Sequence, residues 1–185
     1  VTRYTIACIV EGHAEVDALP ILIRRVLPHV HVPRPVRGLR TKLHDINELS
    51  RLAAIADSNI RSGGRHGGIL ALFDADDDCA ATLGPRLQRE LTEKFGHRMT
   101  RLVLPVNEFE SWLIAGRTDA PVATDETRAT KTWLRRQLGR YSPTADQPSL
   151  TAEFDLKLAA RMSRSFQRFL KVLNDFKLDA ESVAP

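Results

Sequence analysis

The sequence predicts an α/β protein, a mostly parallel sheet flanked by helices with a helical C-terminal extension, and three observations carry that reading. Short apolar runs recur at Thr5 to Val10, Ile69 to Phe73 and Arg101 to Val106, the pattern of strands buried on both faces of a parallel sheet. Segments with helical periodicity lie between them, so strand and helix signals alternate and right-handed crossovers follow. The first two runs stop abruptly at acids, Glu11-Gly12-His13 and Asp74-Ala75-Asp76-Asp77-Asp78. The carboxyl ends of strands are where such sheets build their sites.

Taken in order, Asp17 to Leu27 reads as a helix, begun near Asp17 because Pro20 is tolerated only in a first turn. Val30 to Leu39 contains Pro33 and Pro35, which cannot donate to a ladder, so any strand there is short or at an edge. Ile46 to Ile60 has helical periodicity and stops at Ser62-Gly63-Gly64. Leu83 to Phe95 reads as a helix with Pro85 in its first turn and Gly96 behind it. After the strand at Arg101 to Val106, Glu108 and Glu110 open a short helix that runs through Ala115.

Thr118 to Ser149 changes character. Prolines and threonine-rich turns surround one basic helical segment, Lys131 to Leu138, and the stretch reads as an insertion or mobile loop. Phe154 to Phe176 then reads as one long helix. At ~100° per residue Met162, Phe166, Phe169 and Leu173 share a face, with Lys157, Arg161, Arg164, Arg168 and Lys171 in a row opposite. The expected division is a core over residues 1–116 and a helical extension over 117–185 packed on it.

The chain has 185 residues, 43% of them hydrophobic, with a net charge of +4 and a pI of about 9.4. No apolar run approaches the ~20 residues that span a bilayer, and the N-terminus enters a strand at once without a basic leader. A soluble, cytoplasmic protein is the expectation. Cys8 and Cys79 are the only cysteines, too few for a disulfide scaffold and not spaced as a zinc site. Basic residues must dominate outside the acidic runs, which suits a polyanionic partner. The row on the last helix has a plainer reading as a solvated face, but five like charges without interleaved acids favour nucleic-acid contacts, Arg164 and Arg168 at the centre, through neutralised phosphates. With few aromatics, sequence reading by base stacking has little support.

Clustered carboxylates at a strand edge repel one another unless a cation, basic groups or water compensates them. If the two acid-tipped strands are parallel neighbours, Glu11, Glu15, Asp74, Asp76 and Asp78 surround one or two hard cations, Mg²⁺ or Mn²⁺, which prefer oxygen ligands. Each acid also has a plainer reading. Charge runs are usually solvated turns, and Glu15 and Glu110 sit where a helix N-terminus favours negative charge. A calcium loop is disfavoured because Cys79 and Pro85 stand where its glycine and final glutamate belong. His13, beside Glu11, is the one histidine placed near the site, and Trp112 reads as core.

The pattern of apolar strand, Glu11-Gly12, Glu15, and a later strand ending in Asp74-x-Asp76 resembles the TOPRIM domain of topoisomerases, DnaG-type primases and overcoming-lysogenization-defect nucleases. Glu15 makes the nuclease branch the nearer likeness. Cys8-Ile9-Val10-Glu11-Gly12, Leu72 to Cys79 and Glu108-Phe109-Glu110-Ser111-Trp112-Leu113 together resemble a bacterial TOPRIM-like domain family of unknown function. The likeness spans about residues 5 to 116 plus Ser163-Arg164-Ser165-Phe166.

That resemblance implies a TOPRIM-like, Rossmann-like sheet and Mg²⁺-dependent hydrolysis of nucleic acid, DNA favoured. Glu11, Asp74 and Asp76 would form the primary metal set and carry catalysis, with Glu11 as general base. Glu15, Asp78 and Glu110 would hold a second ion or position water, and Glu110 is favoured over Glu108. It also implies a separate ATPase subunit, since the chain lacks a Gly-x-x-x-x-Gly-Lys-Ser/Thr loop, and a role in bacterial defence or DNA processing. Topoisomerase and primase activities are excluded for want of a cleavage domain and template-binding modules. The haloacid-dehalogenase phosphatases share a strand followed by Asp-x-Asp, but Asp78 replaces their Thr or Val. The alternative function is a non-catalytic module whose acids bind a structural cation or a basic partner.

Overall fold

In the computed structural model, which describes residues 4–38, 45–63, 66–74, 79–121, 125 and 128–183, four strands pair in parallel. They are β1 (Thr5–Val10), β2 (Val36–Arg37), β3 (Gly67–Leu72) and β4 (Thr100–Val103), in the order β2-β1-β3-β4. Every residue of β1 and β3 is buried, as unbroken apolar runs in a parallel sheet require. Successive side chains enter opposite layers: Ile6, Cys8 and Val10 join one core, Ala7 and Ile9 the other.

Helix α1 (His13–Val26) packs on the first of those layers and leads outward to β2. The chain then reverses across the sheet through α2 (Ile46–Ser62) to β3, and α3 (Ala80–Lys94) continues to β4, both on the other layer. The reversal makes the crevice between the ends of β1 and β3 a topological switch point. The fold is therefore α/β, a doubly wound Rossmann-like sheet with a helical C-terminal part.

That part comprises α4 (Glu110–Ala115), α5 (Thr130–Leu138), α6 (Pro143–Glu153), α7 (Leu156–Met162) and α8 (Arg164–Ser182). It shares the α1 layer of the core: Phe154, Phe166, Phe169 and Phe176 join Leu70 and Val103 in one cluster. Trp112 lies at its centre, with ring centroids 5.3, 5.4 and 5.0 Å from Phe109, Phe166 and Phe169, and is core as expected. Arg25 fastens α1 to the end of α6, donating from Nη1 to the Thr151 carbonyl at 2.7 Å and from Nη2 to the Phe154 carbonyl at 2.9 Å.

β4 ends the sheet, and its outward backbone is met by a side chain. Gln88 Nε2 donates to the Thr100 carbonyl at 2.8 Å, and Gln88 Oε1 accepts from the Leu102 amide at 2.8 Å.

Several expectations need correction. Helix α1 begins at His13, four residues before Asp17, and carries Pro20 inside it; burial of Ala14, Val16 and Ala18 outweighs the hydrogen bond that Pro20 cannot donate. Pro85 is likewise interior, because α3 starts at Ala80. In the stretch read as an insertion or mobile loop, the basic helical segment expected at Lys131 to Leu138 is α5, but a second helix, α6, follows it, and Leu134 and Tyr141 close on Ile114 in a small core of their own.

The long last helix is two. Ser163 takes an extended conformation, φ −130° and ψ 120°, and its Oγ accepts from the Phe166 amide at 3.0 Å as the N-cap of α8. The basic row is broken with it: Lys157 and Arg161 lie on α7, beside Asp155, and Arg164, Arg168 and Lys171 lie on α8. Among the described residues no helix is long and apolar enough to cross a membrane.

Candidate acidic site at the sheet edge

β1 and β3 are adjacent and in register, with Val10 opposite Leu72, so Glu11 and Asp74 emerge together at the switch point. Glycine at position 12 allows the first turn of α1 to fold Glu15 back over the strand end, for a Cβ there would stand 2.0 Å from Glu15 Oε2. Glu15 Oε2 is buried and has no hydrogen-bond partner among the described residues.

The third strand end completes the acidic edge from the side. Glu110, 2% exposed, opens α4, and Tyr141 Oη donates to its Oε1 at 3.1 Å. Lys131 Nζ donates to Glu108 Oε1 at 2.6 Å and lies 3.9 Å from Glu110 Oε1. Thr130 Oγ1 donates to the other oxygen of Glu108. Two non-glycine residues in the left-handed region bring these groups together, Asn107 (φ 71°) just before Glu108 and Ala129 (φ 55°) just before Thr130. Such conformations cost of order 1 kcal/mol or more, and their clustering is a mark of sites where positioning matters.

Electrostatics reflect the crowding. Removal from water, followed by the charges of Glu11, Glu15, Glu110 and Glu108, pushes the Asp74 carboxyl well above the usual carboxylate range. Burial also raises Glu110, although Lys131 and Tyr141 pull it back. For Lys131 burial works against the charge, but the hydrogen bond to Glu108 and the charges of Glu110, Glu108 and Asp74 outweigh it and hold the ammonium above its ordinary value. Burial and Glu110 drive the Tyr141 phenol upward, so Tyr141 is a hydrogen-bond donor at neutral pH.

The structure thus brings Glu11, Glu15, Asp74, Glu108 and Glu110 to one edge. Asp76 and Asp78 lie outside the described residues. His13 is exposed at the start of α1. The donor chemistry fits a hard divalent cation, being all oxygen with one buried carboxylate oxygen unpartnered. Among the described residues, however, no three His, Cys, Asp or Glu groups stand in a geometry that could hold a metal.

No protein-family model, curated protein or solved structure matches the chain.

Three residues of this edge were not legible in the sequence. Thr130 and Tyr141 belong to the stretch read as an insertion or mobile loop and Lys131 to the helical segment within it, and no local spacing ties any of them to Glu108 or Glu110. The Ser163-Arg164-Ser165-Phe166 element has a structural role: Asp125 accepts from Ser163 Oγ at 2.6 Å, the Arg164 amide at 2.8 Å and Ser165 Oγ at 3.0 Å, while Trp112 Nε1 donates to Ser165 Oγ at 2.8 Å. These bonds pin the N-terminus of α8 to α4 and to Asp125.

Proposed function

We propose that the chain is a TOPRIM-like, Mg²⁺- or Mn²⁺-dependent phosphodiesterase acting on nucleic acid, DNA favoured, with its site at the joint end of β1 and β3. The observation that carries the reading is the meeting of Asp74 with Glu11 at the joint end of β1 and β3, where burial first and then the charges of Glu11, Glu15, Glu110 and Glu108 raise its carboxyl, against Lys131 as the one nearby ammonium among the described residues. Such an imbalance calls for a further cation. In this reading Glu11, Asp74 and Asp76 hold it, and Glu15, Asp78 and Glu110 hold a second or orient water.

A divalent ion there would polarise phosphoryl oxygens and acidify water. Glu11, at the strand end, takes the proton of the attacking water. Tyr141 fixes one oxygen of Glu110, and the carboxylate so held orients that water. Arg164, Arg168 and Lys171 on α8, with Lys157 and Arg161 on α7, neutralise substrate phosphates. A separate ATPase subunit and a place in bacterial defence or DNA processing belong to this proposal on resemblance alone.

The test is cleavage of supercoiled, linear and single-stranded DNA in Mg²⁺, Mn²⁺ and EDTA, comparing wild type with Glu11→Ala and Asp74→Ala. Metal-dependent cutting lost in both folded variants supports the reading, and none from the wild type in any metal overturns it for the chain acting alone.

A second reading has its own observation. Lys131 neutralises Glu108 and approaches Glu110, as in an acidic edge held together by an internal cation. That favours a non-catalytic module. Calorimetric titration with Mn²⁺ separates the two: absence of any heat, together with absence of turnover, favours the module.

A further inference from the structure

Helix α8 connects the two ends of the sheet. Its first turn is held at the acidic edge by Trp112 of α4, whereas Phe176 packs on Gly68 at the opposite end, against the start of β3. Arg164, Arg168 and Lys171, all exposed, recur at the spacing that shares one helix face. From Arg164 to Lys171 that face extends on the order of 10 Å.

Beside Arg168 and Lys171 a groove of about 330 Å³ opens between α8, α3 and β4, lined also by Arg101, Gln88, Thr92 and Asp175. Its polar groups are unequally committed. The Gln88 amide is occupied by the backbone of β4. Arg101 donates from Nε to Asp175 Oδ2 at 3.1 Å and from Nη1 to the Thr100 carbonyl at 3.2 Å. Those two bonds fix the guanidinium plane, and Nη2 has no protein partner among the described residues. Arg168 and Lys171 likewise have no carboxylate partner among the described residues. The groove thus offers three cations against one carboxylate that is already engaged.

Fixed guanidinium donors and unpaired cations around a recess suit phosphate oxygens. No aromatic ring lines the groove, so bases find no stacking surface and contacts would be to the backbone. We propose that this groove binds the phosphodiester backbone of a nucleic-acid strand through Arg168, Lys171 and Arg101, and that Arg164 carries the strand on toward the acidic edge. The inference rests on the nucleic-acid reading above and adds a binding subsite remote from the carboxylates.

The test is fluorescence anisotropy of a labelled single-stranded oligonucleotide and its duplex, in EDTA, over a series of KCl concentrations. The double variant Arg168→Gln/Lys171→Gln is compared with wild type and with Lys177→Gln, an exposed lysine of α8 outside the groove. Arg101→Gln is measured separately, and melting curves establish that each variant is folded. The groove variant is expected to bind at least about tenfold more weakly, with a log–log salt slope shallower by about 1.4 for the single strand and about 1.8 for the duplex, as two lost phosphate contacts require. Binding by the groove variant equal to that of Lys177→Gln, or no binding by wild type, overturns the inference. Groove-dependent binding without cleavage in Mg²⁺ or Mn²⁺ keeps this subsite and removes the nuclease reading, whereas cleavage with groove-independent binding does the reverse.

Discussion

Lys131 Nζ stands 2.6 Å from Glu108 Oε1, a contact that joins the start of α5 to the loop ahead of α4 across more than twenty residues of sequence. It also places a positive charge 3.9 Å from the buried carboxylate of Glu110. The pair is partly exposed, so its net worth lies below that of a fully buried ion pair.

Removing that ammonium leaves Glu110 with Tyr141 and its own backbone amide as polar support. Lys131→Met is expected to lower stability by about 1 to 2 kcal/mol near neutral pH, and by less in mild acid, where Glu110 takes up a proton. Thermal melts of the two proteins at both pH values measure this. An equal loss at both would mean that the ammonium does not act through Glu110.

The raised carboxyls of Asp74 and Glu110 give the metal-free protein a signed pH dependence. Between the unfolded carboxylate value of ~4 and the higher folded value, the native state holds more protons than the unfolded chain, so stability falls as pH rises. Asp74→Asn removes the largest such group, and its melting temperature in EDTA is expected to decline less steeply with pH than that of wild type. Parallel curves would refute the burden assigned to Asp74. Added Mn²⁺ is expected to raise the wild-type melting temperature most at the alkaline end, where the carboxyls are ionised.

Two glycines are expected to respond differently to alanine. At Gly68 the new Cβ would meet Phe176 Cε1 at 2.5 Å and the Met99 carbonyl oxygen at 2.6 Å, and overpacking of this kind costs about 1 to 3 kcal/mol. At Gly12 the obstacle is the end of the Glu15 side chain, which can swing away. Gly12→Ala is expected to melt within about 1 kcal/mol of wild type while its Mn²⁺ affinity drops several-fold, as read by calorimetry. Unchanged affinity would remove Glu15 from the cation set.

Ser163 caps α8 and also donates to Asp125. Ser163→Ala is expected to destabilise by about 1 to 2 kcal/mol, and Ser163→Thr or Ser163→Asp to recover part of the capping loss. Denaturant melts decide it, and a neutral alanine variant would mean that Asp125 and the backbone suffice.

The strands that build the edge were legible because their information is local. Thr5 to Val10 and Ile69 to Phe73 are apolar without interruption, and both end in acids that no core would accept. From them the parallel sheet follows, and the approach of Glu11 to Asp74 follows once the two strands are neighbours, which the register of β1 with β3 provides. The helix starts were less legible, since Pro20 and Pro85 argue for ends that packing of their buried neighbours overrides. Ser163 looked like one more polar position on an amphipathic helix, although its side chain competes for the backbone amide of Phe166 and ends the preceding turn. The roles of Lys131 and Tyr141 were illegible for another reason: although the helix at Lys131 was readable, what fixes these side chains is contact with Ile114, Glu108 and Glu110, distant in sequence, and α6 beyond them has little apolar patterning of its own.

The paired contacts of Gln88 with Thr100 and Leu102 bear on how this molecule behaves in company. The outermost strand of an open sheet is a template for a neighbour's strand, and a single amide side chain here supplies the donor and acceptor that an intruding backbone would otherwise provide. The rim of the sheet beyond β4 is thus closed from within at the point where a second copy would begin to zip. Crowding the protein, or refolding it at high concentration, tests that closure more severely than dilute solution does.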